Sequence, residues 1–318
     1  MNSANTHARV GPPTVSIIIT TYNRKDLVGR TVRSVLEQDY RPIEIIVVDD
    51  CSTDGTPESI RSEDWFDQIT YVRHERNRGV QHASNTGYER ANGEFLAFVG
   101  DDDRWSDPSK LSRQVRIFQE DTAGRYGIVT TSVHVIQPER SFDRVIRKPR
   151  DLTGHLLDHN GIIYGSAAVL RRDAFEYAGR FAEELPKGTD SDVFRRIVLL
   201  GYDVYFLHEA MVDYHEDSPN RMTAVTERAI LRSIIGETYK LNRYHSDYTL
   251  YPFRKARVLY RLGTHHEALS KIKENPSGLR HARALYLRSA LLAPHRLRPW
   301  IGFFKAAVRS IADRIGTG

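Results

Sequence analysis

A single cysteine, Cys51, stands in 318 residues, which excludes an intrachain disulfide and any cysteine-based zinc site and suits a reducing compartment. No stretch reaches the roughly 18 uninterrupted apolar residues of a membrane span. The segment Met1 to Pro13 also lacks the apolar middle of a signal peptide, so a cytoplasmic location is expected. No Gly-rich phosphate loop follows the first apolar run, where Thr20-Thr21-Tyr22-Asn23 stands instead, and this argues against a nucleotidyltransferase. No nucleic-acid motif accompanies the basic residues, so no nucleic-acid partner is expected.

Charge is present but unevenly placed. The net value is +5, yet residues Arg254 to Gly318 alone hold fourteen Lys and Arg against three acids, Glu267, Glu274 and Asp313, which leaves the rest of the chain net acidic. A basic tail on an acidic body is suited to meeting anions, whether lipid headgroups, nucleic acid or a partner protein. Within the tail, Trp300, Phe304, Val308, Ile311 and Ile315 recur at helical spacing, which fits either an interfacial helix on anionic lipid or a stripe that seals a core.

The first half alternates β-branched runs (Val15 to Thr20, Ile43 to Val48, Ile69 to Arg73, Glu94 to Val99, Ile128 to Val135) with helical patterns, as around Leu27 to Leu36 and Lys110 to Gln119. This predicts an α/β fold with a mainly parallel central sheet flanked by helices. Leu152 to His159 and Ser191 to Leu200 read as helices, and Ala167 to Arg171 and Val204 to His208 as strands. Beyond Thr226 the strands give way to a helical extension. The expected organisation is a flexible N-terminus over 1–13, one α/β domain over 14–225 and a basic helical region over 226–318.

Two of the predicted strands run straight into acid: Ile45-Ile46-Val47-Val48 into Asp49-Asp50, and Phe95-Leu96-Ala97-Phe98-Val99-Gly100 into Asp101-Asp102-Asp103. In parallel sheets ligands bind beyond the carboxyl ends of the strands. Like charges this close repel, unless a hard divalent cation sits among them or solvent screens them.

Four segments in order, Ser16 to Arg24, Val47 to Thr56, Asn77 to Gly87 and Phe98 to Asp103, resemble the family 2 glycosyltransferases, and the resemblance covers about residues 14–220. It implies a GT-A type nucleotide-sugar-binding domain and inverting, metal-dependent transfer from a nucleotide-diphosphate sugar to a hydroxyl of a glycan or lipid-linked saccharide, in cell-surface glycan synthesis. Residue by residue, it implies donor contacts from Thr20, Tyr22, Arg24, Asp50 and Asp101. It further implies Mn²⁺ or Mg²⁺ held by Asp102, with Asp103 and His215 as further ligands, and Asp190 as the catalytic base. Two positions depart from the family pattern: Gly100 stands where an acid of the Asp-x-Asp motif is usual, and Thr189 where an acid often precedes the base. Asp190 with Thr189 and Asp192 also suits a plain helix N-terminus. The polar stretch Glu216 to Thr226 is a candidate lid. A non-catalytic nucleotide-sugar-binding or scaffold protein is the alternative, and for the basic helices a peripheral position at the inner face of the membrane stands beside internal packing as the second reading.

Overall fold

The run Val15–Thr21 forms strand β1 because its residues are β-branched or small and all but Thr20 are buried. It is flanked on both edges by parallel neighbours, so apolar residues face both ways, and Ile17, Ile18 and Ile19 are wholly inaccessible. The computed structural model describes residues 11–159, 161–216, 226–273 and 276–315.

In chain order the elements are β1 (Val15–Thr21), α1 (Val28–Leu36), β2 (Ile43–Asp49), α2 (Thr56–Arg61), β3 (Thr70–Arg73), α3 (Val80–Arg90), β4 (Phe95–Gly100), β5 (Arg104–Trp105), α4 (Lys110–Glu120), β6 (Tyr126–Gln137), β7 (Arg140–Arg144), α5 (Leu152–Asp158), β8 (Ala168–Arg171), α6 (Arg172–Tyr177), α7 (Thr189–Leu199), β9 (Asp203–His215), α8 (Glu227–Arg243), α9 (Asp247–Leu250), α10 (Pro252–Lys273), α11 (Pro276–Leu292) and α12 (Leu297–Ile315). They divide between two compact units. One takes its residues from 1–148, 161–183 and 190–218; the other takes its residues from 149–160, 184–189 and 219–318.

The first unit is built on one sheet in the order β3-β2-β1-β4-β8-β6-β9-β5, with β7 beside β6. The long pairings β1 with β2, β1 with β4, β2 with β3 and β6 with β9 are parallel, whereas β8 runs antiparallel between β4 and β6. Register sets Thr20 between Val48 and Gly100, so three strands end side by side. The acids that follow β2 and β4 are thereby delivered to one rim. Helix α4 closes one face with Leu111, Val115 and Phe118, and the Phe118 ring stacks on Phe95 at 4.5 Å.

The second unit is helical. The Thr226 hydroxyl caps α8 by accepting from the Ala229 amide at 3.2 Å. Buried Glu237 on α8 takes Arg261 of α10 at 3.0 Å and Lys240 at 2.9 Å. The Tyr286 ring of α11 lies against Gly263 of α10 and Gly302 of α12. A methyl group would come within 2.7 Å of that ring at the first glycine and 3.1 Å at the second, so the close approach of these helices requires glycine. Among the described residues no helix is long and apolar enough to cross a membrane.

Candidate active site

The turn after β4 is fixed by its main chain. The Thr31 hydroxyl of α1 donates to the carbonyls of Asp101 at 3.0 Å and Asp103 at 2.7 Å, and Arg30 donates to the carbonyl of Asp102 at 2.9 Å. With the backbone held by α1, the three carboxylates diverge to different surroundings.

Asp101 turns toward Arg24, 3.8 Å away, and its side chain is only 14% exposed. Burial, and then the neighbouring Asp102 charge, push its carboxyl up to about 7, while the Thr21 hydroxyl, Arg24 and the Tyr22 backbone pull the other way. Asp103 turns inward, where its Oδ2 accepts from the Ser166 hydroxyl at 2.5 Å. The Ser166 oxygen also accepts from the Gly100 amide at 3.0 Å, and Trp105 Nε1 donates to the Ser166 carbonyl at 2.8 Å. Asp102 is partly exposed.

Gly100 is surrounded by oxygen. A methyl carbon there would lie 3.2 Å from Asp102 Oδ1, 3.3 Å from Asp103 Oδ2 and 3.6 Å from Ser166 Oγ. The missing side chain therefore leaves a cradle between two carboxylates and a hydroxyl. Such oxygens suit a hard divalent cation, and Mg²⁺ commonly takes only one or two protein carboxylates because substrate phosphates supply more. The residues present fit the group. Among the described residues no three His, Cys, Asp or Glu side chains gather as a metal-binding set, so Asp102, Asp103 and His215 do not come together as a trio. His215 closes β9, and residues 217–225 of the candidate lid lie outside the described residues.

Asp190 opens α7. Its Oδ1 accepts from the Ser191 amide at 2.7 Å, and burial raises its carboxyl above the usual range. A methyl carbon at Gly165 would lie 3.2 Å from Asp190 Oδ2. Gly165 and Ser166 share one short 3-10 turn, Gly165–Ala167. That turn touches Asp190 with one residue and Asp103 with the next, and so brings the base candidate and the acidic rim to the same place. Asp192 serves the fold instead: it is 1% exposed and pairs with Arg196 at 2.9 Å and Arg195 at 3.5 Å.

The loops after β1 and β2 are laced together. The Asn23 and Arg24 amides donate to Ser52 Oγ at 2.9 Å and Thr56 Oγ1 at 3.0 Å, and the Thr53 amide donates back to Asn23 Oδ1 at 2.8 Å. Tyr22 stands 45% exposed beside them. Asp50 is 3% exposed, with Oδ1 engaged by His74 at 2.7 Å and the Arg78 amide at 2.8 Å, and Oδ2 by the Gly79 amide at 2.7 Å. Any nucleobase contact by Asp50 has to share oxygens that already hold the entry to α3. The second nitrogen of His74 meets Thr86 Oγ1 at 3.0 Å.

Sequence reasoning missed Thr31, Arg30, His74, Gly165 and Ser166. Only the small-residue run Gly165-Ser166-Ala167-Ala168 offered a signal, since close backbone approach needs small side chains.

Residues 16–179 match the family model described as Glycosyl transferase family 2. The chain is 32% identical over 206 residues to TuaG of Bacillus subtilis (strain 168), a glycosyltransferase named for teichuronic acid biosynthesis, covering 64% of this chain and 79% of that one. It is 26% identical over 264 residues to WcaA of Escherichia coli (strain K12), named for colanic acid biosynthesis, covering 78% and 91%. Among solved structures, TarS 1–349 of S. aureus superposes with a TM-score of 0.61 at 18% identity, over 95% of this chain and 92% of that one. The mannosyltransferase PcManGT from Pyrobaculum calidifontis, solved with GDP-Man and Mn²⁺, gives 0.56 at 23% identity over 96% and 88%. These likenesses show the GT-A type fold that the motifs implied. The chain belongs to glycosyl transferase family 2 and is a glycosyltransferase.

Proposed function

We propose that the chain moves a sugar from a nucleoside diphosphate donor to a hydroxyl of a growing cell-surface glycan, with inversion at the anomeric carbon, and that residues 14–225 hold the donor. The observation that carries this reading is the turn Gly165–Ala167, which packs against both Asp190 and Asp103. A base and an acidic rim so joined can serve the two ends of one displacement.

In this reading Tyr22 and Thr20 receive the nucleobase and Asp101 reaches the ribose. Asp102, with Asp103 behind it, would hold Mn²⁺ or Mg²⁺, which supplies charge neutralisation for the departing diphosphate. Asp190 takes the proton of the acceptor hydroxyl as that oxygen attacks the anomeric carbon, and the bond to the diphosphate oxygen breaks on the opposite face. Its raised carboxyl makes it a stronger base than a surface aspartate. Thr189, buried at the start of α7, is not an acid, so the base works without a neighbouring carboxylate.

The donor class is supported by the ligands named for two structural neighbours, UDP-GlcNAc with TarS and GDP-Man with PcManGT. The acceptor class is supported by the polysaccharides named for TuaG, WcaA and the amylovoran enzyme AmsB of Erwinia amylovora. Proton NMR of the product tests the stereochemistry. An anomer opposite to that of the donor is expected, and a retained anomer overturns the single-displacement reading.

A further inference from the structure

The helical unit contains a cleft of about 760 Å³ whose lining includes Arg257, Arg261, Arg296, Arg298, His159 and His295 and no carboxylate. A lining with several guanidinium groups and no acid is complementary to an anion. In an adjoining pocket that shares Arg257, His295 and Arg296, Asp151 is paired with Arg254 at 3.1 Å. Asp158, fully buried, anchors Arg257 at 3.1 Å, and Glu237 anchors Arg261 at 3.0 Å. Each thus orients one arginine of the lining. Neither Arg296 nor Arg298 has a carboxylate partner among the described residues. They flank the start of α12, a 19-residue helix with no acid in its first turn, so its positive end adds to the same field.

An apolar stripe runs on from the cleft. Leu297, Ile301 and Phe304 follow one face of α12 and are 74%, 49% and 60% exposed. The opposite face is spent on packing, since Ala306 is buried with Ala282 and Tyr286, and Phe303 packs on that cluster. An acid-free basic cleft continued by an exposed apolar stripe complements a phosphate that carries a hydrocarbon tail. The geometry points to a lipid-phosphate site: the phosphate monoester or pyrophosphate headgroup of a membrane lipid seats among Arg257, Arg296 and Arg298, with its tail side along Leu297, Ile301 and Phe304. This site is independent of sugar transfer and is read without it.

Vesicle sedimentation of the full chain tests the site. Vesicles of phosphatidylcholine with phosphatidic acid should bind the protein, phosphatidylserine at matched charge should bind it less, and phosphatidylcholine alone should not. R296Q/R298Q should lower binding to phosphatidic acid by about tenfold or more with an unchanged melting temperature. I301S/F304S should weaken vesicle binding while leaving inorganic pyrophosphate binding by calorimetry intact, and inorganic pyrophosphate should compete wild-type protein off vesicles. Wild-type protein that ignores phosphatidic acid, or R296Q/R298Q that binds like wild type, overturns the site. Equal binding to phosphatidylserine would assign the effect to diffuse charge, and pyrophosphate binding without vesicle binding would remove the lipid; either result overturns it too.

Discussion

The Ser166 hydroxyl donates to Asp103 Oδ2 at 2.5 Å across 63 positions of sequence, and its oxygen accepts from the Gly100 amide at 3.0 Å. One hydroxyl therefore ties the end of β4 to the turn that also meets Asp190. Removing it in Ser166→Ala leaves a buried amide and a carboxylate oxygen each short of a partner, with an expected loss of about 1–3 kcal/mol in denaturant unfolding. Donor turnover should fall as well, because the acidic turn loses its inner anchor. Unchanged stability and turnover in Ser166→Ala would dissolve this link.

Gly100 should not tolerate a methyl group silently. A Cβ at 3.2 Å from Asp102 Oδ1 and 3.3 Å from Asp103 Oδ2 forces those oxygens to give by a few tenths of an ångström. We expect Gly100→Ala to lose about 1 kcal/mol of stability and roughly tenfold or more in donor turnover, since misplacing a positioning group costs rate steeply. Steady-state kinetics beside thermal melts separate the two effects, and full activity in Gly100→Ala would contradict the cradle.

Asp101 gives the fold a pH dependence of definite sign. Its carboxyl is raised from the ordinary range to about 7, so the folded state favours the protonated form. That contribution to stability is complete below about pH 4 and is lost as pH rises toward 7. Asp101→Asn should therefore melt higher than wild type at pH 8, by at most about 4 kcal/mol before the loss of the Arg24 contact is counted. The difference should close below pH 4. A variant destabilised at pH 8 and unchanged at pH 4 would reverse the sign and refute the assignment.

The raised carboxyl of Asp190 moves the acid limb of the activity profile upward in pH. As a base it works only when ionised, so the acid limb of kcat/KM should lie above the usual carboxylate range, with activity lost as pH falls through it. A limb at or below the ordinary aspartate value would exclude Asp190 as the group responsible.

How much of this was legible in the sequence depended on whether the signal was local. Strands β1, β2 and β4 could be read because their apolar runs, β-branched in the first two, end abruptly in Thr-Thr, Asp-Asp and Gly-Asp. Strand β7, Arg-Ser-Phe-Asp-Arg, has no such pattern and exists because Phe142 and its neighbours pair with β6. Strand β9 extends to His215, beyond the expected Val204 to His208, because β6 and β5 supply partners along its length. In the tail stripe Phe304 is exposed while its neighbour Phe303 packs inward, a difference of one position that periodicity alone does not resolve, and the side chains of Val308, Ile311 and Ile315 lie outside the described residues. Asp190 and the acidic triplet could be named from motifs, but the Gly165–Ala167 turn that joins them carries no motif and depends on contacts far apart in the chain.

The most direct test is nucleoside diphosphate release by Asp190→Asn, measured with UDP-, GDP- and dTDP-sugars, Mn²⁺ and a glycan acceptor, alongside calorimetric donor binding. The account predicts that the variant binds donor like wild type while kcat falls by about 10²-fold or more. Turnover within a few-fold of wild type, with the same donor affinity, would contradict it.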